Sequence, residues 1–394
     1  MKRRDLLKSL TALPLMTTGG ALWAAPAKQP RLLVVFLRGG YDAASLLVPT
    51  GSDFYYESRP NIAIPRPSTE LNSAIALDAN WGLHPALRES LYPLYQAGQL
   101  AFVPFAGTED ISRSHFETQD SIELGQPLVG AKNFRSGFMN RLAATLTAGA
   151  PISFTDQLPL VFQGAQQVPN IGLRTLAKPQ IDNRQSAIIA AMYQGSSLQQ
   201  QVTGGFTVRD DVAKQMAAEM DAASRNALSA KGFELEARRI AKLMREKYTL
   251  GFVDVGGWDT HVGQGAATGY LAGRFDELGR GLAGFADEMG SEWKDTVVVV
   301  VSEFGRTFRE NGNRGTDHGH GTVYWVLGGG VQGGRVLGEQ VAVNKAALFQ
   351  NRDYPVINEY RATFGGLFAR MYGLNTTQTD AIFASVKGRD IGLV

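Results

Sequence analysis

Four short runs of this chain are apolar at almost every position: RLLVVFL at 31–37, LAFVPF at 100–105, LGFVDV at 250–255 and TVVVVV at 296–301. A strand with one face in water alternates apolar and polar residues. A run that does not alternate needs cover on both faces, as in a mainly parallel sheet sandwiched between helices. LPLVF at 158–162 is a further strand candidate. Between these runs the apolar spacing changes to three and four. Residues 86–98 and 270–289 fit helices, as does much of 182–248, where DDVAKQMAAEM and LEARRIAKLMREKY each describe a one-sided helix. Gly204-Gly205 is the expected break in that stretch. Strands alternating with helices predict an α/β fold, three-layered around a mainly parallel central sheet. No linker rich in Pro, Gly or Ser divides the chain, so the pattern predicts one domain over 28–394 with a helical insertion around 180–248.

The first 27 residues are of another kind. MKRRDLLKSLTALPLMTTGGALWAAPA has a basic start, a mildly apolar run and a small-residue Ala25-Pro26-Ala27 end, the layout of an export signal. Paired Arg3 and Arg4 in RRDLLK point to the twin-arginine route, with the twin-arginine translocase as a transient partner and a periplasmic or secreted product. Thr17, Thr18, Gly19 and Gly20 soften the apolar run, so a stable membrane anchor is not expected, an uncleaved anchor being the alternative.

The charge balance follows from this. The whole chain carries +2, but Lys2, Arg3, Arg4 and Lys8 against Asp5 give 1–27 a net +3, leaving −1 for the remainder. No basic surface for nucleic acid is implied. The chain has no cysteine, so neither disulfides nor thiolate ligands are available, and a metal site would have to use His, Asp, Glu and hydroxyls.

In an open parallel sheet, ligands bind beyond the carboxyl ends of the strands, and here the unusual polar residues follow the apolar runs. Arg38 and Asp42 follow the first; Arg38 could pair with Asp42 or clamp an oxyanion. Asp259 and His261 follow the run at 250–255, two apart, so both can face one ion. The plainer alternative is a turn in which Asp259 caps a helix and His261 is solvated. Glu303 ends the run at 296–301, where an unpaired carboxylate would be costly; Arg306 is its obvious ionic partner. RGTDHGHG at 314–321 brings Asp317, His318 and His320 into one glycine-rich turn, in a chain with only five histidines. They read either as nitrogen and oxygen ligands for an ion such as zinc or as exposed loop residues. Ser114 and Glu117 form an S-x-x-E capping box, yet a hydroxyl at a helix N-terminus is also placed to attack a bound phosphate or sulfate. His84 reads as a packing or capping residue.

Taken together, FLRGGYDAASLLVP, LHPAL, SRSHFETQD, GGWDTH, SEFGRT, GTDHGHG and VLGGGVQGGRVLG, in this order after a twin-arginine signal, resemble the bacterial domain-of-unknown-function family 1501. That family is grouped with the alkaline-phosphatase-like superfamily. The resemblance implies that fold, two divalent ions (zinc, manganese or calcium) and a serine or threonine nucleophile transferring phosphoryl or sulfuryl groups. It implies a metal role for Asp42, Asp259, His261, Glu303, Asp317, His318 and His320. It places the nucleophile at Ser114 or Ser112, with His115 beside it, and oxyanion binding at Arg38 or Arg306. In the superfamily the Asp-His-Gly motif directly ends a strand, whereas here it comes at 317–319, about a dozen residues after Glu303. Either the loop brings it back or Glu303 takes its place. The expected activity is hydrolysis of a small-molecule or polysaccharide ester by an exported protein. The alternative is a non-catalytic, metal-stabilised envelope or binding protein on the same fold.

Overall fold

The computed structural model describes residues 29–174, 183–217 and 230–394. The export segment at 1–27 and parts of the 180–248 stretch therefore lie outside the described residues. The main sheet has eight strands: β1 (Arg31–Leu37), β2 (Leu100–Gly107), β3 (Pro151–Ser153), β4 (Leu250–Val255), β5 (Thr296–Ser302), β6 (Thr322–Leu327), β7 (Arg335–Val336) and β8 (Asn358–Glu359). Their order is β7-β2-β6-β5-β1-β4-β3, with β8 also beside β2. Every pairing is parallel except those of β6, which runs antiparallel to both β2 and β5. The fold is α/β, with a mixed, mostly parallel sheet between helices.

The unbroken apolar runs are explained by two separate cores. Leu33, Val35 and Leu37 of β1 face one core, while Leu32, Val34 and Phe36 face the other. The same split divides Val298 and Val300 from Val297, Val299 and Val301 in β5. The first core is closed by helices Gly232–Glu246 and Tyr270–Met289, and the second by Phe138–Thr145 and Tyr360–Tyr372. With cover on both sides no position can be polar without a buried partner.

Several local expectations are corrected. Leu158–Phe162 is not a strand: Leu160–Phe162 forms a 3₁₀ turn, and the edge strand is Pro151–Ser153. Pro159 has no N–H to give a ladder. The helix expected over 86–98 is two short pieces, Pro85–Leu87 and Tyr92–Gln96. Gly204-Gly205 does not break its helix, since Gln199–Gln215 runs through both. No heavy atom comes within 4 Å of where their Cβ atoms would stand, so only the modest propensity cost of glycine applies. Helices Asn183–Met192 and Gln199–Gln215 lie in the chain between β3 and β4, and Val212 and Met216 are buried in the first core. Among the described residues no helix is long and apolar enough to cross a membrane.

β1, β2, β4 and β5 point the same way, so their carboxyl ends share one edge. β6 is antiparallel to β5 and therefore starts at that edge. Any residue just before Thr322 must then return to the carboxyl end of β5, and this sets the position of Asp317 and His318.

Candidate metal centre

The loop from β5 to β6 folds back on itself as an irregular ribbon. Arg306 bridges antiparallel to His318, Gly305 N–H donates to His320 O at 3.0 Å, and Gly319 N–H donates to Gly305 O at 2.9 Å. The two backbones approach so closely that a Cβ on Gly305 would lie 2.0 Å from Gly321 O, and one on Gly319 would lie 2.5 Å from Arg306 O. The loop after β4 fastens to the same ribbon: Thr316 N–H donates to Thr260 O at 3.1 Å and Gln264 N–H to Arg314 O at 3.0 Å. His115 arrives as the first residue of helix His115–Leu124.

Four side chains meet there. Ligand atoms of His115, Asp259 and His318 all lie within 4.8 Å of one another. His261 Nε2 adds to them, 2.9 Å from Asp259 Oδ1 and 3.1 Å from His318 Nε2. His318 Nε2 lies 3.2 Å from Asp259 Oδ1. His115 Nε2 is buried without a hydrogen bond, 3.5 Å from Asp259 Oδ2.

The far nitrogen of each ring has a partner of its own. His115 Nδ1 lies 2.8 Å from Glu303 Oε1, His261 Nδ1 lies 3.1 Å from Asp317 Oδ1, and His318 Nδ1 lies 3.0 Å from the Arg113 carbonyl. All three partners are acceptors, so a neutral ring that donates from Nδ1 turns a bare Nε2 to the cluster. Three Nε2 lone pairs would then converge on a carboxylate, and a cation among them would relieve their repulsion. Metal-bound histidines characteristically give their other N–H to such outer acceptors. The donor set, nitrogens with carboxylate oxygen and no sulfur, suits a divalent ion such as zinc.

The carboxylates around the cluster are held in their ionised form, while His115 and His318 shift in opposite directions. Burial alone would raise the Glu303 carboxyl, but bonds from His115, Gln119 and Gly39 outweigh it and hold the group below its usual range. Burial likewise opposes ionisation of Asp317, and Asn311 and His261 more than offset it. At Asp259 burial is outweighed by the bond and charge of Arg306, whose Nη1 donates to Oδ1 at 2.6 Å. His115 is raised chiefly by its bond to Glu303, while His318 is lowered, first by burial and then by His115 and Arg306. Asp259 and His261 stay about 40% exposed, so the cluster is open to solvent on one side.

The family model described as "Protein of unknown function (DUF1501)" matches residues 29–394. This chain belongs to that family. No curated protein matches it. Among solved structures the DUF1501 chain is similar to Ps i-CgsB, at 10% identity over 93% of this chain and 76% of that one, with a TM-score of 0.39. The same protein in complex with k-i-k-neocarrahexaose gives 9% identity, 93% and 76% coverage and a TM-score of 0.37. A protein in the alkaline phosphatase superfamily from Vibrio parahaemolyticus gives 11% identity, 92% and 70% coverage and a TM-score of 0.39.

In this DUF1501 protein several predicted site residues stand elsewhere. Asp42 is not free to hold an ion. Its Oδ1 accepts from Arg59 Nη2 at 2.9 Å, and its Oδ2 accepts from Arg59 Nη1, from Ser45 Oγ and from Gln264 Nε2, the last two both at 2.7 Å. Asp42 and Arg59 are 1% and 0% exposed. Glu303 Oε1 accepts from Gly39, Gln119 and His115, so this carboxylate orients His115 and stands outside the cluster of converging ligand atoms. Arg306 pairs with Asp259 and not with Glu303. Arg38 pairs with neither Asp42 nor the cluster but with Glu123 and Asp254. His320 is buried with its ring 4.8 Å from that of Phe349, and burial pushes its pKa down to about 4. Asp317 Oδ1 meets His261 Nδ1 and accepts from Asn311 Nδ2, both at 3.1 Å. His84 caps Pro85–Leu87 as expected, accepting from Ala86 N–H.

Ser114 is the N-cap of helix His115–Leu124, accepting from Glu117 N–H at 3.5 Å, the long end of hydrogen-bond range. Ser112 is exposed and lies 3.3 Å from Thr118 Oγ1. Sequence reasoning did not find Arg59, Gln119, Gln264, Asp353 or the Arg113 carbonyl. Arg59 carries no motif, and a backbone carbonyl has no sequence signature at all.

Proposed function

We propose that this chain is an exported, metal-dependent hydrolase of phosphate or sulfate esters, acting on a small-molecule or polysaccharide ester in the periplasm or outside the cell. The observation that carries the metal is the convergence of three Nε2 atoms on Asp259, each with its Nδ1 committed to an acceptor. His115, Asp259, His261 and His318 would hold one ion. For the second ion that the family resemblance implies, Asp42 is already occupied by Arg59, Ser45 and Gln264, and Glu303 and Asp317 meet His115 and His261. The RRDLLK segment supports the export reading.

An ion held there would supply positive charge for the ester oxygens and favour the ionised form of a nearby hydroxyl. The residues do the rest. Ser114 is the nucleophile in this reading, since it directly precedes His115 and its cap bond is long. Its oxygen forms the new bond to phosphorus or sulfur as the bond to the leaving alcohol breaks, and the alcohol departs with the proton that the hydroxyl gives up. Water then releases the group from the serine. Arg306 stabilises ionised Asp259, and Glu303 and Asp317 hold two of the rings in register.

A second reading, a metal-stabilised envelope or binding protein without turnover, has one observation in its favour. Arg38, Arg59 and Arg306 are all engaged by carboxylates and carbonyls of the protein itself, so none is free to grip the peripheral oxygens of an ester. Metal content by plasma mass spectrometry on mature protein without a histidine tag is the first test, and about one equivalent is expected. Incubation with radiolabelled phosphate and sulfate esters should then label the protein, and Ser114→Ala should abolish the label. Folded protein that takes up no ion overturns both readings. One equivalent of metal without labelling or turnover of either ester class selects the second.

A further inference from the structure

We propose that Arg113 is a positioning residue for His318: its left-handed backbone, pinned by Asp353, aims the carbonyl that fixes the imidazole's tautomer. The proposal rests on the metal reading and adds to it a residue that belongs to neither the ligands nor their carboxylate partners. Arg113 has φ 55°, a conformation side chains larger than glycine rarely adopt and keep only where their surroundings over-determine it.

Those surroundings are visible. Arg113 Nε and Nη2 both donate to Asp353 Oδ2, at 2.9 and 2.7 Å, and Nη2 also donates to Gln350 Oε1 at 2.7 Å. The Asp353 side chain is wholly buried. Its backbone bridges Thr307, whose N–H donates to Asp317 O at 2.8 Å. The anchor of Arg113 and the loop that carries His318 are thus parts of one ribbon. The circuit runs from Asp353 through the guanidinium to the Arg113 carbonyl, then to His318 Nδ1, and back through Asp317 and Thr307.

The carbonyl can only accept, so it holds the Nδ1–H form and leaves Nε2 bare toward Asp259 and His261. With an extended backbone at 113 the carbonyl would point elsewhere, and the ring would be free to turn or to exchange tautomers. His115 and His261 take a carboxylate for this purpose, whereas His318 takes a peptide carbonyl and so depends on one backbone angle.

Cobalt(II) is the probe, since its visible absorption reports ligand geometry and its dissociation constant can be titrated. Arg113→Val, whose branched Cβ resists positive φ, should weaken cobalt binding about 10- to 100-fold and alter the visible spectrum. Arg113→Gly, which adopts φ 55° freely but gives up the anchor, should lose less affinity than Arg113→Val and give a spectrum between that variant's and the wild type's. Asp353→Asn, which weakens the anchor but leaves residue 113 unchanged, should move spectrum and affinity the same way as Arg113→Val by a smaller amount. A wild-type spectrum and dissociation constant in Arg113→Val overturns the proposal, and so does an equal loss in Arg113→Val and Arg113→Gly. If Arg113→Val does not fold, unchanged cobalt binding in Asp353→Asn overturns it. Wild-type protein that binds no cobalt, zinc or manganese fails the metal reading itself, a result distinguishable from any of these.

Discussion

Two carboxylates that look alike in sequence, each at the end of an apolar strand, do different work. Asp42 forms a buried ion pair with Arg59 and Glu303 orients a histidine. Removing one partner of a buried pair leaves an unpaired charge in the interior, so Asp42→Ala should destabilise the protein by about 3–5 kcal/mol. The folded fraction should nevertheless keep its full metal content. Glu303→Gln should do the reverse, folding well but binding metal about 10- to 100-fold more weakly, because His115 loses its charged acceptor. Denaturant titration together with chelator competition on both variants checks the pair. Loss of metal from folded Asp42→Ala would return Asp42 to the ligand set.

The site depends on the antiparallel turn of one element. Because β6 runs against β5, the residues before Thr322 come back to the edge where β1, β4 and β5 end, and the ribbon 305–307 with 317–320 delivers His318. The glycines of SEFGRT and GTDHGHG are there for backbone contact. A Cβ at Gly305 would meet Gly321 O at 2.0 Å, whereas one at Gly256, in the glycine pair before Trp258, would meet nothing within 4 Å. Gly305→Ala should therefore cost about 1–3 kcal/mol and weaken metal binding, while Gly256→Ala leaves both nearly unchanged. Thermal unfolding with and without zinc measures this. Equal behaviour of the two variants would mean that the ribbon does not set the site.

Across the whole molecule, buried acids tie stability to pH in opposite directions. Asp42 and Glu303 have folded pKa values held below their ordinary 3.8 and 4.5, so what they contribute is present above about pH 4.5 and is lost as pH falls through the depressed values. Glu236 is raised by burial from 4.5 to about 7 in the folded chain, despite its bond to Arg174. A raised acid favours the folded state below its unfolded pKa and gives that advantage up as pH climbs toward 7. His84 and His320, lowered by burial from 6.5 to about 4, work the other way and favour the folded state as pH climbs to 6.5. Metal-free protein should accordingly be most stable between about pH 6 and 7, and Glu236→Gln should steepen the rise between pH 4.5 and 7. Unfolding midpoints from pH 3 to 9 in the presence of chelator test this; a midpoint still rising at pH 8 contradicts it.

What the sequence determined by itself is what periodicity and short-range spacing encode. Unalternating apolar runs located four strands of the sheet within a residue or two, because a strand covered on both faces admits a polar residue only with a partner. The spacing of three and four located Gly232–Glu246 and Tyr270–Met289, because one helix face must be dry. Asp259, His261 and His318 were legible as ligand candidates because they cluster in motifs after strands, whereas His115 was expected only beside the nucleophile. Only the tertiary structure decided which of them meet. The His318 loop returns because of the direction of β6, and Asp42 is occupied by an arginine 17 residues away in sequence. Glu303 and Asp317 face ring Nδ1 atoms and not an ion. These are long-range pairings, and no local pattern carries them: a carboxylate at a strand end has the same sequence signature whether its partner is a metal, a guanidinium or an imidazole.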